Sequence, residues 1–260
     1  MLHHIQPENV LFLDIETVSQ YPDFHQLDET TQHLWEQKAA SMCKDGQTPA
    51  DIYGRAGIYA EFGKIVCISA GFIYHLPDHQ PAFRLKSCFG DDEPKLLKDF
   101  SEVVTRFGNQ HNMLLCAHNG KEFDFPYIAR RMLVNGIALP AVLDTAGKKP
   151  WEVSFLDTME LWRFGDYKCY TSLKVLTHIF GIPSPKDDID GSQVASVYWL
   201  EKDLSRIVRY CEKDVLAIAQ LLLRYKGMKT ILPENVSSTT IFEKHQTSKV
   251  PVAAHIQAGD

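Results

Sequence analysis

Short, nearly continuous apolar runs that break off in an acid, a glycine or a proline set the strongest limit on how this chain can fold. Such runs suit buried strands, and the stretches between them carry helical periodicity. The first, Val10-Leu-Phe-Leu-Asp14, suits a strand buried on both faces. Lys64 to Tyr74 is rich in β-branched residues, and Pro77 and Pro81 bracket a turn before Ala82 to Cys88. Three consecutive strands follow, the last two joined by a hairpin. Asp91-Asp92-Glu93-Pro94 opens a helix that carries Leu96, Leu97, Phe100, Val103, Val104 and Phe107 and stops at Gly108. Met113 to Ala117 reads as another buried strand. Pro126 to Asn135 reads as a helix closed by Gly136, and Val153 to Met159 as a last strand. Helices follow around Ser172 to Phe180, Ser192 to Leu200 and Leu204 to Lys226. The alternation predicts an α/β fold, with a mixed sheet of about five strands flanked by helices.

Residues 19 to 62 are too long for a plain loop, and the part around Thr30 to Met42 has helical composition. They are expected to form a helical insertion after the first strand, folded over one edge of the sheet. After Pro233 the chain turns rich in Ser, Thr and Lys, so residues 1 to 232 read as one folded domain and 233 to 260 as a flexible tail. With 45% hydrophobic and 23% charged residues, disorder and coiled coil are excluded as descriptions of the whole chain. No run approaches the ~18 to 20 apolar residues of a membrane span, and the start lacks a basic and apolar leader, so a cytoplasmic protein without a membrane partner is expected. The six cysteines never form a C-x2-C pair and read as reduced thiols, with Cys67, Cys116 and Cys211 inside apolar runs. A net charge of -6 weighs against a polyanionic partner. Residues 1 to 62, however, hold 10 acids and 3 bases, whereas 63 to 260 hold 23 and 24, so most of the chain is balanced.

Three short stretches carry candidate chemistry. In Asp14-Ile-Glu16 the carboxylates lie two apart, so a strand aims both to one face, and two acids that close call for a cation between them. The stretch 114 to 128, LLCAHNGKEFDFPYI, leaves a strand and opens a helix, which delivers Asp124 at the corner. In Tyr210-Cys-Glu-Lys-Asp214 the i,i+4 spacing sets the phenol and Asp214 on one side of the last long helix, bordering its apolar stripe, with Glu212 on the opposite, more easily solvated flank. Each alone has a plainer explanation: acids end strands, cap helices and line helix flanks. Together they place four acids at one end of one sheet. Oxygen ligands without convergent His or Cys favour Mg2+ or Mn2+ over Zn2+, and two such ions can drive phosphodiester hydrolysis.

FLDIET (12 to 17), HNGKEFDFPYIARR (118 to 131) and YCEKD (210 to 214) resemble the three exonuclease motifs of the proofreading domain of family B DNA polymerases, in the Tyr-containing DEDD group. Asn119, Phe123, Asp124, Pro126, Tyr127 and Ile128 are all in register in the middle motif. The resemblance spans roughly residues 8 to 226, without any polymerase motif. It implies a ribonuclease H-like sheet and a standalone enzyme that removes nucleoside monophosphates in the 3′-to-5′ direction, from single-stranded nucleic acid with DNA favoured. It further implies that Asp14, Glu16, Asp124 and Asp214 hold two divalent ions, Mg2+ or Mn2+, and that Tyr210 orients the attacking water. Thr17 and Asn119 would seat the terminal nucleotide or brace the carboxylates, and Phe123 would pack beneath Asp124. The insertion at 19 to 62 departs from proofreading domains that run straight into the second strand. An RNA exonuclease of the ribonuclease D type and a non-catalytic nucleic-acid-binding protein are the alternatives. Pro126 favours the polymerase-like branch over the first, and the intact acids and tyrosine weigh against the second.

Other candidates have simpler readings. Asp157 suits a strand terminator, and Asp187, Asp188 and Asp190 a helix start at Ser192. His75 and His79 straddle Pro77 in a turn, while His118, beside the middle motif, is the one histidine positioned to touch substrate. Trp151, Trp162 and Phe164 near Lys148, Lys149, Arg163 and Lys168 mix aromatics with bases as single-strand grooves do, but core packing with solvated lysines is the favoured account.

Overall fold

A computed structural model describes residues 2–109, 112–166, 168–183 and 189–242. The expected strands and helices form in order, with α4 and β6 in addition: β1 (Val10–Ser19), α1 (Glu29–Ala39), β2 (Gly63–His75), β3 (Pro81–Phe89), α2 (Glu93–Gly108), β4 (Leu114–Ala117), α3 (Asp124–Val134), β5 (Leu156–Asp157), α4 (Thr158–Arg163), α5 (Leu173–Ile179), α6 (Val194–Ser196), α7 (Leu204–Tyr225) and β6 (Val236–Ser238). α6 is a single turn that widens into a π-helix over Val197–Glu201.

The strands make one six-stranded mixed sheet in the order β5-β4-β1-β2-β3-β6. β1, β2 and β3 are antiparallel neighbours, whereas β4, β5 and β6 each join in parallel. Alternation along β1 feeds two cores. Leu11, Leu13 and Ile15 pack with Leu97 and Phe100 of α2 and Ile128 and Met132 of α3, while Val10 and Phe12 pack on Val215, Ile218 and Leu222 of α7. Asp14 and Glu16 continue the second face, so the sheet side covered by α7 changes from apolar to acidic partway along β1.

A buried ion pair locks the α2/α3 layer to the sheet. Arg131 donates from Nε to Glu93 Oε1 at 2.9 Å, from Nη2 to Glu93 Oε2 at 2.6 Å, and from Nη1 to the Ala60 carbonyl at 2.8 Å. Glu93 Oε1 also accepts from the Ile65 amide at 2.8 Å. One carboxylate and one guanidinium thus join α2, α3, β2 and the end of the insertion.

The structure corrects five expectations. β1 does not end at Asp14 but runs to Ser19, so the paired acids lie within the strand. The stretch Val153 to Met159 supplies only a two-residue strand, because Asp157 already caps α4 by accepting from the Met159 and Glu160 amides. The insertion has its own small core around Trp35, Tyr53 and Phe24, but it lies against the C-terminal end of the central strand β1 rather than over an outer edge. There Gly57 approaches the Val18 and Ser19 backbone so closely that a Cβ would sit 3.0 Å from the Val18 carbonyl carbon. The expected tail begins with order: β6 pairs with β3 through Phe83, Arg84 and Leu85. Glu212, expected to be solvated, accepts from Ser87 Oγ and Ser238 Oγ at 3.0 Å each and from Thr240 Oγ1. Residues 243 to 260, like Asp187 and Asp188, lie outside the described residues.

Breaking the Glu93–Arg131 pair from one side leaves a buried carboxylate unpaired. Arg131→Met is expected to lower stability by about 3–5 kcal/mol, measured as a reduced urea midpoint.

Candidate active site

β4 pairs with β1 only as far as Phe12↔Cys116, after which the chain turns away toward α3. The Ile15 amide, between the two acids of β1, therefore has no strand partner on that side. Asp124 takes the place of the missing strand: its Oδ1 accepts from Ile15 N at 3.1 Å across a separation of 109 residues. The first helical residue of α3 is thus pinned beside Asp14 and Glu16. On the other side of β1 the ladder to β2 shifts register between Glu16 and Thr17, where Val66 is the extra residue of a bulge that bends the sheet at the acids.

α7 brings the remaining groups. Its Cys211 is fully buried, and the thiol donates to the Asp14 carbonyl at 3.3 Å and to Asp14 Oδ2 at 3.4 Å. One residue earlier, Tyr210 hydrogen-bonds Asp214, as the i,i+4 spacing requires. Glu16 and Asp124 are buried, whereas Asp14, Tyr210 and Asp214 keep partial contact with solvent, so the cluster opens to the surface on the α7 side.

The electrostatics show that the four carboxyls share one neighbourhood. Asp14 is raised well above its ordinary value by burial, then by repulsion from Glu16, Asp124 and Asp214. Glu16 is raised well above its own by burial, then by Asp214, Cys67 and Asp124. Asp124 is pushed from 3.8 up to about 7, by burial first, and Asp157 and Asp214 add to the rise. No cation figures among the largest influences on these three acids. The Tyr210 phenol is held protonated by burial and then by Asp214, Glu16 and Asp14.

Ligand atoms of Asp14, Glu16 and Cys211 lie within 4.8 Å of one another. Cys211 is a poor ligand even so. Burial raises its thiol well above the ordinary value, so it keeps the proton it donates to Asp14. The usable donors are carboxylate oxygens, and repelling, desolvated carboxylates of this kind fit hard divalent cations.

The other expected residues divide. Thr17 hydrogen-bonds the Tyr127 hydroxyl, which itself donates to the Gly57 carbonyl at 2.8 Å, so Thr17 braces β1 against α3 and the insertion. Phe123 packs on the core with its ring 5.3 Å from that of Tyr127. Asn119 adopts φ 61, its amide donates to Asp157 Oδ1 at 2.9 Å, and its side-chain Oδ1 is buried without a hydrogen-bond partner. His118 does not face substrate: Nδ1 meets Thr158 Oγ1 at 2.9 Å and Nε2 meets the Thr171 carbonyl at 3.0 Å. Burial lowers its pKa, which keeps the ring neutral for those bonds.

Sequence reasoning missed one organising group. Asp157 is buried and accepts from the Asn119 amide at 2.9 Å and the Lys121 amide at 3.1 Å as well as capping α4, so it shapes the loop that presents Asp124. The available signal was an aspartate followed by Thr-Met-Glu-Leu-Trp, a cap-and-helix pattern in place of a continuing strand. His79 lies in the turn as expected, whereas His75 is the last residue of β2 and pairs with Glu8 at 3.3 Å. Trp162 packs in a core with Phe180 and Tyr225, but Trp151 and Phe164 are exposed, against expectation.

Comparison with known proteins is consistent with this geometry. A structure of the family B DNA polymerase from the hyperthermophilic archaeon Pyrobaculum calidifontis resembles the chain at a TM-score of 0.47 and 18% identity, over 85% of this chain and 25% of the polymerase. The chain therefore spans about a quarter of that polymerase's length. A family described as predicted 3′-5′ exonuclease related to the exonuclease domain of PolB matches residues 58–250, which takes in Asn119, Asp124, Tyr210 and Asp214 and begins after Asp14 and Glu16. The chain belongs to this family of predicted 3′-5′ exonucleases related to the PolB exonuclease domain.

Proposed function

We propose that the protein releases nucleoside monophosphates from the 3′ ends of single-stranded DNA with the help of two divalent ions, Mg2+ or Mn2+. The observation that carries this reading is the mutual repulsion of Asp14, Glu16, Asp124 and Asp214 in a desolvated setting. Buried like charges at such proximity are costly unless a cation joins them.

In this reading those four carboxylates hold the ion pair, which supplies activation of the attacking water and stabilisation of the leaving oxygen. The chain's own groups do the positioning. Asp124 is oriented by the Ile15 amide, which donates to its Oδ1. Cys211 fixes Asp14 by donating to Oδ2. Tyr210, protonated and bonded to Asp214, stands at the solvent-accessible side and orients the water. Asn119, whose side-chain Oδ1 is buried with no hydrogen-bond partner among the described residues, braces the loop before Asp124 through its amide on Asp157. The DNA preference rests on Pro126 in the middle motif and on the family's relation to a DNA polymerase domain.

Asp14→Ala is expected to abolish nucleotide release while circular dichroism shows an intact fold, because loss of one repelling acid does not weaken the metal-free protein. Asp124→Ala is expected to abolish release as well but to lower Tm, because it leaves the Ile15 amide without its acceptor. Tyr210→Phe is expected to lower kcat by on the order of 10²-fold or more with little change in KM. Digestion of labelled DNA and RNA oligomers side by side decides the sugar preference. Full cleavage of DNA by a clean Asp14→Ala preparation refutes the reading, and faster cleavage of RNA moves it to the ribonuclease D type.

A pH prediction follows from the same repulsion. A carboxyl raised in the folded state stabilises the fold below its unfolded value, and that contribution is lost as pH rises through the folded value. For Asp124 the window runs from 3.8 to about 7, and Asp14 and Glu16 act in the same direction. In chelator, Tm should therefore fall from acid to neutral pH. Asp124→Asn should flatten that fall, and millimolar Mg2+ should raise Tm more at neutral than at acid pH. A Tm indifferent to Mg2+ at neutral pH counts against cation binding in the cluster.

A further inference from the structure

α4 leads away from Asp157 for six residues, about 9 Å. At its far end Phe164 adopts φ 45, ψ 36 and is 81% exposed, followed by Gly165 at φ 92. A bulky aromatic in the left-handed region occupies a conformation ordinarily left to glycine or asparagine, and an exposed ring forgoes the gain of burial. Both costs fall on one residue, at the end of the helix that begins at Asp157. Backbone strain that persists at such a place points to use.

Tyr170, six residues after Phe164, is 65% exposed, and the Arg163 guanidinium lies 4.5 Å from its ring centroid. Arg163 donates from Nε to the Cys169 carbonyl at 3.0 Å. Its Nη2 is buried and has no hydrogen-bond acceptor, standing 4.0 Å from Glu122 Oε1. The segment is tied to the loop before Asp124 through the two His118 bonds, to Thr158 and Thr171, and through the Lys121–Glu160 pair. Exposed rings and an arginine whose Nη2 has no hydrogen-bond acceptor among the described residues therefore lie on the segment tied to the loop before Asp124.

We propose that Phe164, Tyr170 and Arg163 form the surface that holds the single strand just 5′ of the nucleotide being removed. Bases stack on the two rings, and the Arg163 guanidinium, packed on Tyr170, adds positive charge beneath the strand. The assignment rests on the exonuclease reading for its placement and adds to it the residues that grip the strand. Every base has a π face, so this grip does not depend on sequence, as an enzyme that shortens a strand one residue at a time requires. Arginine suits this role, since its planar cation packs on an aromatic ring and attracts phosphate. Trp151, 78% exposed with Lys149 Nζ 5.3 Å from its ring centroid, has the same composition but no described bond to the loop before Asp124, and serves as the control.

The test is fluorescence anisotropy of a labelled oligothymidylate with the full-length protein in chelator, where no cleavage occurs, alongside steady-state hydrolysis in Mg2+. Phe164→Ala with Tyr170→Ala should weaken binding by on the order of tenfold or more, because stacking is worth ~1–3 kcal/mol per base. KM for the long oligomer should rise in step. Tyr170→Phe should bind as wild type does, and Trp151→Ala should have no effect. Phe164→Gly should weaken binding while Tm holds or rises, since glycine relieves the left-handed backbone. Wild-type affinity in the Phe164/Tyr170 double variant overturns the proposal, as does an equal loss in Trp151→Ala or no binding by wild type. Failure of the exonuclease reading shows separately, as wild-type protein that releases no nucleotide in Mg2+.

Discussion

The bond from Ile15 N to Asp124 Oδ1 is the contact on which the arrangement of the site depends. A backbone amide within a central strand must find an acceptor, and here the neighbouring strand β4 has already ended. By filling that gap, a carboxylate from a distant part of the chain is forced into the company of two others. The same requirement that completes the sheet's hydrogen bonding also concentrates negative charge. α7 then closes over the cluster, with its apolar stripe on Val10 and Phe12 and its acidic and phenolic border on Asp14 and Glu16.

Such a concentration is unfavourable, and the surrounding structure withstands it because the elements that carry the acids are tied down elsewhere. α3 is held at its first turn by Ile15, along its length by the Tyr127 hydroxyl on Gly57, and near its end by Arg131 on Glu93. The loop before it is held by Asp157. None of these ties draws on the outward-facing oxygens of the cluster. The insertion takes part as well, since Gly57 and Ala60 both accept hydrogen bonds from α3. It is a buttress for the helix that carries Asp124.

Much of this was legible in the sequence, for identifiable reasons. Strands β1 to β4 announce themselves as apolar runs because both faces of the sheet are covered, and α2 begins where Asp92 and Pro94 say it must. The three acidic motifs fall near one end of the sheet because strand end, helix start and helix flank are local properties. What escaped is non-local or weakly patterned. β6, with its Val-Ser-Ser sequence, looks like linker because only Val236 packs on a core, while the hydroxyls of Ser237 and Ser238 donate to the Phe83 carbonyl and the Glu212 carboxylate. β5 was overextended because the hydrophobic residues around Phe155 serve packing against Phe125 without a ladder. The Glu93–Arg131 pair spans 38 residues and leaves no periodic trace.

The position of β6 has a further consequence. β3 is nine residues long and would be the outermost strand of a twisted sheet, offering a row of free amides and carbonyls to any other extended chain. A short parallel segment, fastened by hydroxyls to Glu212 of the same helix that carries Tyr210 and Asp214, occupies that row with the molecule's own chain. It acts as a selvedge: trimming it away would leave the sheet ready to knit with its neighbours, and precipitation through β3 would precede any loss of the core.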